Sequence, residues 1–388
     1  MSRSGPTLWQ IATYFLKLGA TGFGGPVALA NYMRRDLVDR HGWLEGGEYD
    51  EGLAIATACP GPLAYQLGVY CGYLTHGTIG ALVVALAFAV APFAIVTAVA
   101  ALYVAYGSTW ELRALFYGVG PVVIALILKS CWDLGRKTLR AERLAWGFAL
   151  VAAVITLAVQ RELTAIFLVA GALGIVLFAP AAIKGTEPET QSAKSSPVRL
   201  PAFIPVALLP AVPSSKIFLF FLKTGFLVFG SGLVVVPFLK AYVVDQYHWL
   251  DNRTFLDAVA IGIVSPGPVV ITATFVGYVL NNLSGALAAT AGIFLPSLAF
   301  VIIGTPILRR YRKNRRVQGF VRGVTVAVVG VLVGTSLMVA KATILDWTSA
   351  TILVLSLALL FSKWKIPEQA LIGGGAVVGL ALTPLLHF

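Results

Sequence analysis

Two Pro-Gly-Pro triplets, Pro60-Gly61-Pro62 and Pro266-Gly267-Pro268, interrupt long apolar stretches of this 388-residue chain. Proline ends a helix, yet it is tolerated in the first turn of the next one. Pro62 and Pro268 are therefore expected in the first turn of a new helix. The opening N–H groups of that helix have no partner within it and carry the positive end of its dipole. A helix start of this kind binds anions. Gln66 and Thr272 stand one turn further on, at matching positions, and add side-chain donors. The plainer reading is that Pro and Gly merely turn the chain of a packed hairpin; the anion site is preferred.

Lys17 and Lys223 lie inside apolar segments, again at matching positions. A cation at the bilayer centre costs roughly 2.5–3.5 kcal/mol on insertion scales, so two at one register suggest attraction for an anion. The alternative is that each reaches an interface or pairs with a carboxylate. Gly22, Gly24 and Gly25, followed by Pro26, either unwind the first helix and present N–H groups or let helices pack closely. Gly68 with Gly72, and Gly330 with Gly334, are assigned to packing. For coupling to an ion gradient the candidates are Glu51 and Asp257, matching acids nine residues before each triplet. That distance is about 13 Å of helix, and the bland role is a carboxylate near a helix N-terminus. Arg34 and Arg35 close the first segment, either as a guide for anions at a cytoplasmic mouth or as a topology anchor.

Other chemistries find no residues. Cys59, Cys71 and Cys131 show no CxxC spacing, and His41, His76, His248 and His387 are scattered. No metal site, disulfide or cofactor is expected. The chain carries no GxxxxGK loop for ATP and no nucleophile–base pair, which disfavours an enzyme.

The elements that hold these residues are transmembrane helices. Hydrophobic residues make up 58% of the chain and charged residues 12%, against about 25% charged in soluble domains. Apolar stretches long enough to cross a ~30 Å core recur throughout, without the alternation of a barrel. The formal charge of +12 sits in short loops, so it is read as positive-inside topology and not as nucleic-acid binding. Lys17 and the lack of a cleavage site argue against a signal peptide, so the first segment is expected to remain.

An internal repeat organises the chain. Phe15-Leu16-Lys17-Leu18-Gly19 returns as Phe221-Leu222-Lys223-Thr224-Gly225, and Trp43-Leu44 as Trp249-Leu250. The Pro-Gly-Pro triplets, Gly72-Tyr73 with Gly277-Tyr278, and Gly118-Val119 with Gly323-Val324 keep the register near 206. The halves are 1–183 and 217–388, joined by a polar, cytoplasmic linker, 184–216. In the first half six apolar segments fall near 8–33, 47–75, 78–104, 112–130, 145–159 and 163–180. The segment broken by Pro-Gly-Pro fits a re-entrant hairpin, leaving about five crossing helices per half and inverting the second half. With the N-terminus outside, only Arg3, Arg113, Arg161, Lys240, Arg253 and Lys341 of the 29 Lys and Arg fall outside, with Lys17 and Lys223 in the membrane. The fold class is all-α, polytopic, with two inverted repeats of the secondary-transporter kind.

The sequence resembles the chromate ion transporter family in its long, two-domain form. The resemblance rests on Gly22-Phe23-Gly24-Gly25-Pro26 with Ala28-Leu29-Ala30-Asn31, and on Pro60-Gly61-Pro62 with Gln66. Their partners are Phe229-Gly230 and Pro266-Gly267-Pro268 with Thr272-Ala273-Thr274-Phe275-Val276-Gly277-Tyr278. The second half has Ser231-Gly232 where the first has Gly25-Pro26, so unequal contributions are expected. The resemblance implies chromate efflux across a bacterial inner membrane, driven by the proton gradient and conferring chromate resistance, with sulphate as a mimic. A sulphate or other oxyanion transporter and an anion channel of the same architecture stay open, as does a homodimer. The expected partners are the oxyanion and the lipid bilayer.

Overall fold

The computed structural model describes residues 5–23, 25–58, 61–106, 110–139, 142–159, 163–178, 212–227, 235–305, 315–344, 346–362 and 366–382. These residues are mainly helical, with no strand among them. Gly24, Pro60, Phe229, Gly230, Ser231, Gly232 and nearly all of the linker lie outside the described residues.

The first apolar segment is two helices. α1 (Leu8–Thr21) starts at a capping box, Thr7 Oγ1 accepting from the Gln10 N–H and Gln10 Oε1 from the Thr7 N–H. It ends at Gly22, which is extended, and α2 (Gly25–Met33) begins at Gly25, whose φ is 75°. The glycine cluster thus interrupts the helix. α2 runs into a π-helical turn, Arg34–Arg40, closed by the His41 N–H on the Asp36 carbonyl at 3.0 Å. The second half repeats this plan. α8 (Ser214–Leu227) precedes α9 (Val235–Leu239), and the π-helical turn Lys240–Gln246 closes through Tyr247 N–H and the Tyr242 carbonyl at 2.8 Å.

Gly61-Pro62 and Pro266-Gly267-Pro268 each lie at the tip of a helical hairpin. α3 (Gly46–Ala58) leads to the first tip and α4 (Leu63–Tyr106) leaves it. The legs lie against one another: a methyl on Gly52 would stand 2.3 Å from the Tyr70 ring. α10 (Asn252–Val264), a 3-10 turn at Val269–Ile271 and α11 (Thr272–Ala299) form the second hairpin, where a methyl on Gly262 would meet Thr272 Oγ1. Both outgoing helices reverse again, at His76-Gly77 and at Asn281-Asn282. Gly77 and Asn282 hold the positive φ (60° and 46°) that these reversals need. The reversals are tight because Gly72 abuts the Gly80 carbonyl and Gly277 the Gly285 carbonyl. The first hairpin legs, 13 residues in α3 and as many in α4 before the reversal, are about 20 Å long. That is too short to span hydrocarbon.

The remaining helices are α5 (Trp110–Leu139), α6 (Arg143–Val159), α7 (Leu163–Leu177), α12 (Arg315–Thr343), α13 (Trp347–Phe361) and α14 (Glu368–Leu382). They pack in exchanged pairs. α5 lies against α13 and α14, whereas α12 lies against α6 and α7. Glycines set the close approach: a methyl on Gly118 would be 1.9 Å from the Gly375 carbonyl oxygen, and one on Gly323 2.2 Å from that of Ala170. Gly330 and Gly334 meet Ala149 and Ala153 of α6, the packing role read from their spacing. An ion pair of 2.6 Å, Arg322 to Glu142, also joins the halves.

Helices apolar on both faces mark a membrane bundle. On α4, Ala81, Val84 and Phe88 are buried while Leu82, Leu86 and Val90 are exposed on the other side. Leu150 and Val154 of α6, and Val354 and Leu355 of α13, are exposed likewise. By length and composition three helical stretches are apolar enough to cross a membrane: Ala114–Asp133, and Leu63–Tyr106 and Val269–Gly304, each of which contains one of the reversals.

Candidate functional site at the helix breaks

The tip of the second hairpin is docked on the break in the first helix. α10 ends at Ser265, and Pro266, Gly267 and Pro268 are all buried. The Gly267 N–H donates to the Gly22 carbonyl at 2.9 Å, which joins the two halves at the interruption between α1 and α2. A methyl on Gly267 (φ 91°) would lie 2.9 Å from Cγ of Pro92 and 3.4 Å from the Gly19 carbonyl oxygen. Pro92 lies inside the second arm of α4, so one proline-containing helix, one broken helix and one hairpin tip converge. Pro268 is extended (φ −70°, ψ 128°) and caps the 3-10 turn, standing one residue ahead of the first-turn position expected for it. The N–H groups of Val269 and Val270 precede the first bond of that turn, Ile271 N–H to the Pro268 carbonyl at 3.0 Å. Thr272 spends its hydroxyl on the Val269 carbonyl, 2.9 Å away.

The tip of the first hairpin faces the second half. Gly61 has φ 137°, and a methyl there would lie 2.3 Å from Gln66 Nε2 and 2.5 Å from Ser297 Oγ. Ser297 follows Pro296, the counterpart of Pro92: Pro92 packs on Gly19 and Pro296 on Gly225. Pro62 also precedes its helix, accepting the Gln66 N–H at 2.9 Å. Gln66 is 1% exposed.

The two lysines stand elsewhere. Lys17 is exposed on α1, about 200° around the helix from Gly19, whose carbonyl faces the tip. Lys223 is exposed too, with its ammonium 5.6 Å from the Tyr242 ring centroid. The structure does not bring either to a hairpin tip.

The candidate coupling acids differ. Asp257 is 3% exposed and accepts the Tyr103 hydroxyl at 2.6 Å, a bond from the first half to the second. Tyr103 is wedged edge-on against Phe116 and Phe275, with centroids 5.9 and 5.1 Å away. Glu51 is half-buried.

Arg34 is ion-paired with Asp50, which fastens the π-helical turn to α3, and lies 5.9 Å over the Tyr49 ring. Arg35 pairs with Asp36 at 3.0 Å, and Arg40 reaches the same carboxylate at 3.5 Å. Burial alone would raise the Asp36 carboxyl, but Arg35 and Arg40 hold it below the ordinary carboxylate value. Both arginines therefore have carboxylate partners at the end of this segment. In the second half the corresponding cation, Lys240, is buried and paired with Asp245 at 3.0 Å.

An apolar cavity of about 380 Å³ flanks the second hairpin, between Val96, Phe116, Val264 and Ile372. Its lining offers no charge to an anion. Among the described residues no group of three His, Cys, Asp or Glu is placed to hold a metal ion.

Sequence reasoning missed Tyr103, Ser297 and Lys240. The Pro92–Pro296 correspondence gave no signal for Ser297, because Phe93 follows Pro92 where Ser297 follows Pro296. Nothing in the repeat pointed to Tyr103.

A chromate transporter family model matches residues 9–175 and again 215–380. The chain is 41% identical over 381 residues to the chromate transport protein of Cupriavidus metallidurans, covering 98% of this chain and 94% of that one. It is 39% identical over 387 residues to the probable chromate transport protein of Synechococcus elongatus, covering 96% and 95%. Against the chromate transport protein of Pseudomonas aeruginosa the figures are 33% over 350 residues, 86% and 81%. No solved structure matches the chain.

Proposed function

The chain belongs to the chromate transporter family, and from that premise we propose that it is a secondary active transporter exporting chromate, a sulphate-like divalent oxyanion. The membrane crossed is the bacterial inner membrane, the driving force is the proton gradient, and the cellular outcome is chromate resistance. The observation that carries the reading is the seating of the second hairpin tip on the broken first helix, Gly267 N–H to the Gly22 carbonyl at 2.9 Å. A contact between halves at two backbone interruptions can open and close without unfolding a helix. Broken helices at a repeat interface are also where secondary transporters bind their substrates.

In this reading each half, 1–183 and 217–388, crosses the bilayer about five times and dips a hairpin to the midplane. The second half is inverted, and the linker 184–216 is cytoplasmic. A desolvated dianion is held between the two hairpin tips, by the helix start behind Pro62 and by side-chain donors beside it. The halves rock to expose those tips to one side and then the other.

Asp257 is the coupling acid. It is buried on the incoming leg of the second hairpin and bonded to Tyr103 of the other half. Loss of that bond as the hairpin moves changes what the carboxylate faces, which ties its protonation to the conformation. Glu51, more exposed, is given the lesser part.

The test is radiolabelled chromate flux in everted membrane vesicles energised by a respiratory substrate, with and without an uncoupler and excess sulphate. Accumulation abolished by the uncoupler and reduced by sulphate is expected. Accumulation no greater than in vesicles lacking the protein would overturn the chromate assignment, and uncoupler-insensitive, non-saturating flux would indicate a channel.

A further inference from the structure

We infer that Ser297, beside Pro296 on α11 of the second half, binds the substrate oxyanion at the tip of the first hairpin, and that the two tips are therefore unequal. The inference rests on the oxyanion reading above and specifies where within it the anion is held. Ser297 is completely buried, and its hydroxyl has no hydrogen-bond partner. A helical Ser or Thr usually returns its hydroxyl to the carbonyl four residues back, as Thr57, Thr156, Thr224 and Thr290 do in this protein. Ser297 does not. An unsatisfied buried hydroxyl is destabilising, and such groups are kept where a ligand completes them.

The direction of the hydroxyl says which ligand. It converges with the Gln66 amide nitrogen on the bare Cα of Gly61, both within 2.5 Å of where a side chain there would begin. Two donors from different halves thus meet at the start of the helix that follows Pro62, where the dipole favours negative charge. At the second tip the surroundings have the opposite sense. The Gly267 N–H is taken by the Gly22 carbonyl, a methyl there would next meet the Gly19 carbonyl oxygen, and Thr272 is bonded within its own turn. Carbonyl oxygens repel an oxyanion, whereas donors attract it. The repeat has Phe93 after Pro92 where Ser297 follows Pro296, so the hydroxyl belongs to one half alone. The crevice beside Gln66, bounded by Tyr70 and Phe300, holds about 10 Å³. That is no more than a water, so the hairpin must withdraw from α11 before a tetrahedral anion enters.

The test uses the full chain in two assays. Chromate flux in everted vesicles gives KM, and thermal denaturation of the detergent-purified protein gives the stabilisation by added chromate. Ser297→Ala should raise KM at least fivefold and remove most of the stabilisation, while Ser297→Thr stays within about twofold of wild type. If Ser297→Ala does not accumulate, Ser297→Cys, similar in size but a poor donor, should show the same loss. Wild-type transport together with an unchanged KM and stabilisation in the alanine or cysteine variant would overturn the inference and leave the oxyanion reading intact. A wild-type protein neither transporting chromate nor stabilised by it would overturn both.

Discussion

Substituting Gly267 by alanine tests whether the second hairpin tip is a fitted joint. The added methyl would meet Pro92 Cγ at 2.9 Å, and the residue would keep φ 91°. A side chain held in a sparsely populated backbone region costs about 1–3 kcal/mol, and overpacking a well-filled site about 1–3 kcal/mol more. The sum is about 2–6 kcal/mol. Gly77→Ala is the matched control. Its φ is 60°, but a methyl there has nothing within 4 Å, so only the backbone part applies. The readouts are thermal denaturation in detergent and chromate flux per folded molecule. Gly267→Ala should be less stable than Gly77→Ala by about 1–3 kcal/mol, the packing part alone, with flux lowered to match. Adding Pro92→Ala to Gly267→Ala should recover at least about 0.5 kcal/mol, the coupling expected between contacting residues. If the two glycine variants were equally stable and equally active, the tip would not be seated on Pro92 and the docking argument would fail.

Further outcomes follow from the same contacts. Tyr103→Phe removes the hydroxyl that faces Asp257; it should depress proton-driven accumulation at least fivefold while chromate exchange without a gradient stays within about twofold. Gly118→Leu and Gly323→Leu should abolish accumulation of folded protein, because neighbouring backbone lies 1.9 and 2.2 Å from the first added atom. Gly147→Leu, with open space around it, should be tolerated in the same expression assay. Asp346 caps α13 by accepting the Ser349 N–H at 2.7 Å and also takes the Tyr117 hydroxyl at 2.8 Å. Loss of such a cap costs about 1 kcal/mol, so Asp346→Ala should lower thermal stability at neutral pH. Burial raises the Asp346 carboxyl, but these hydrogen bonds outweigh it and hold the group below its ordinary value. Its stabilisation is therefore present above about pH 4 and lost as the pH falls through the lower folded value. The variant should lack that acid-side decline.

Most of the backbone plan was legible because breaks are written in residue types. Gly22-Phe23-Gly24-Gly25-Pro26 and the Pro-Gly-Pro triplets mark interruptions that the helices respect, and the apolar segments match the helices closely. The repeat register gave the height of a residue along its helix but not the direction in which it points. Lys17 and Lys223 illustrate the difference: they share a register, yet both turn outward. Ser297 was illegible for a related reason, since nothing in the other half repeats it. The exchange of partners between α5 and α12 was also hidden. In a membrane both faces of a helix are apolar, so the pattern does not say which neighbour each face meets. Gly118 and Gly323 showed that something comes close without showing what.

That exchange has a consequence for how the chain becomes one object. Gly118 of α5 and Gly323, Gly330 and Gly334 of α12 each meet helices of the opposite half. Neither half is a module in the ordinary sense, because each is missing the surface that closes it. A chain segment joining two such halves raises the effective concentration of one near the other. Two polypeptides cut within 184–216 would carry the inter-half contacts described above and should find one another in the membrane. Either one alone would be left with backbone-deep furrows facing lipid.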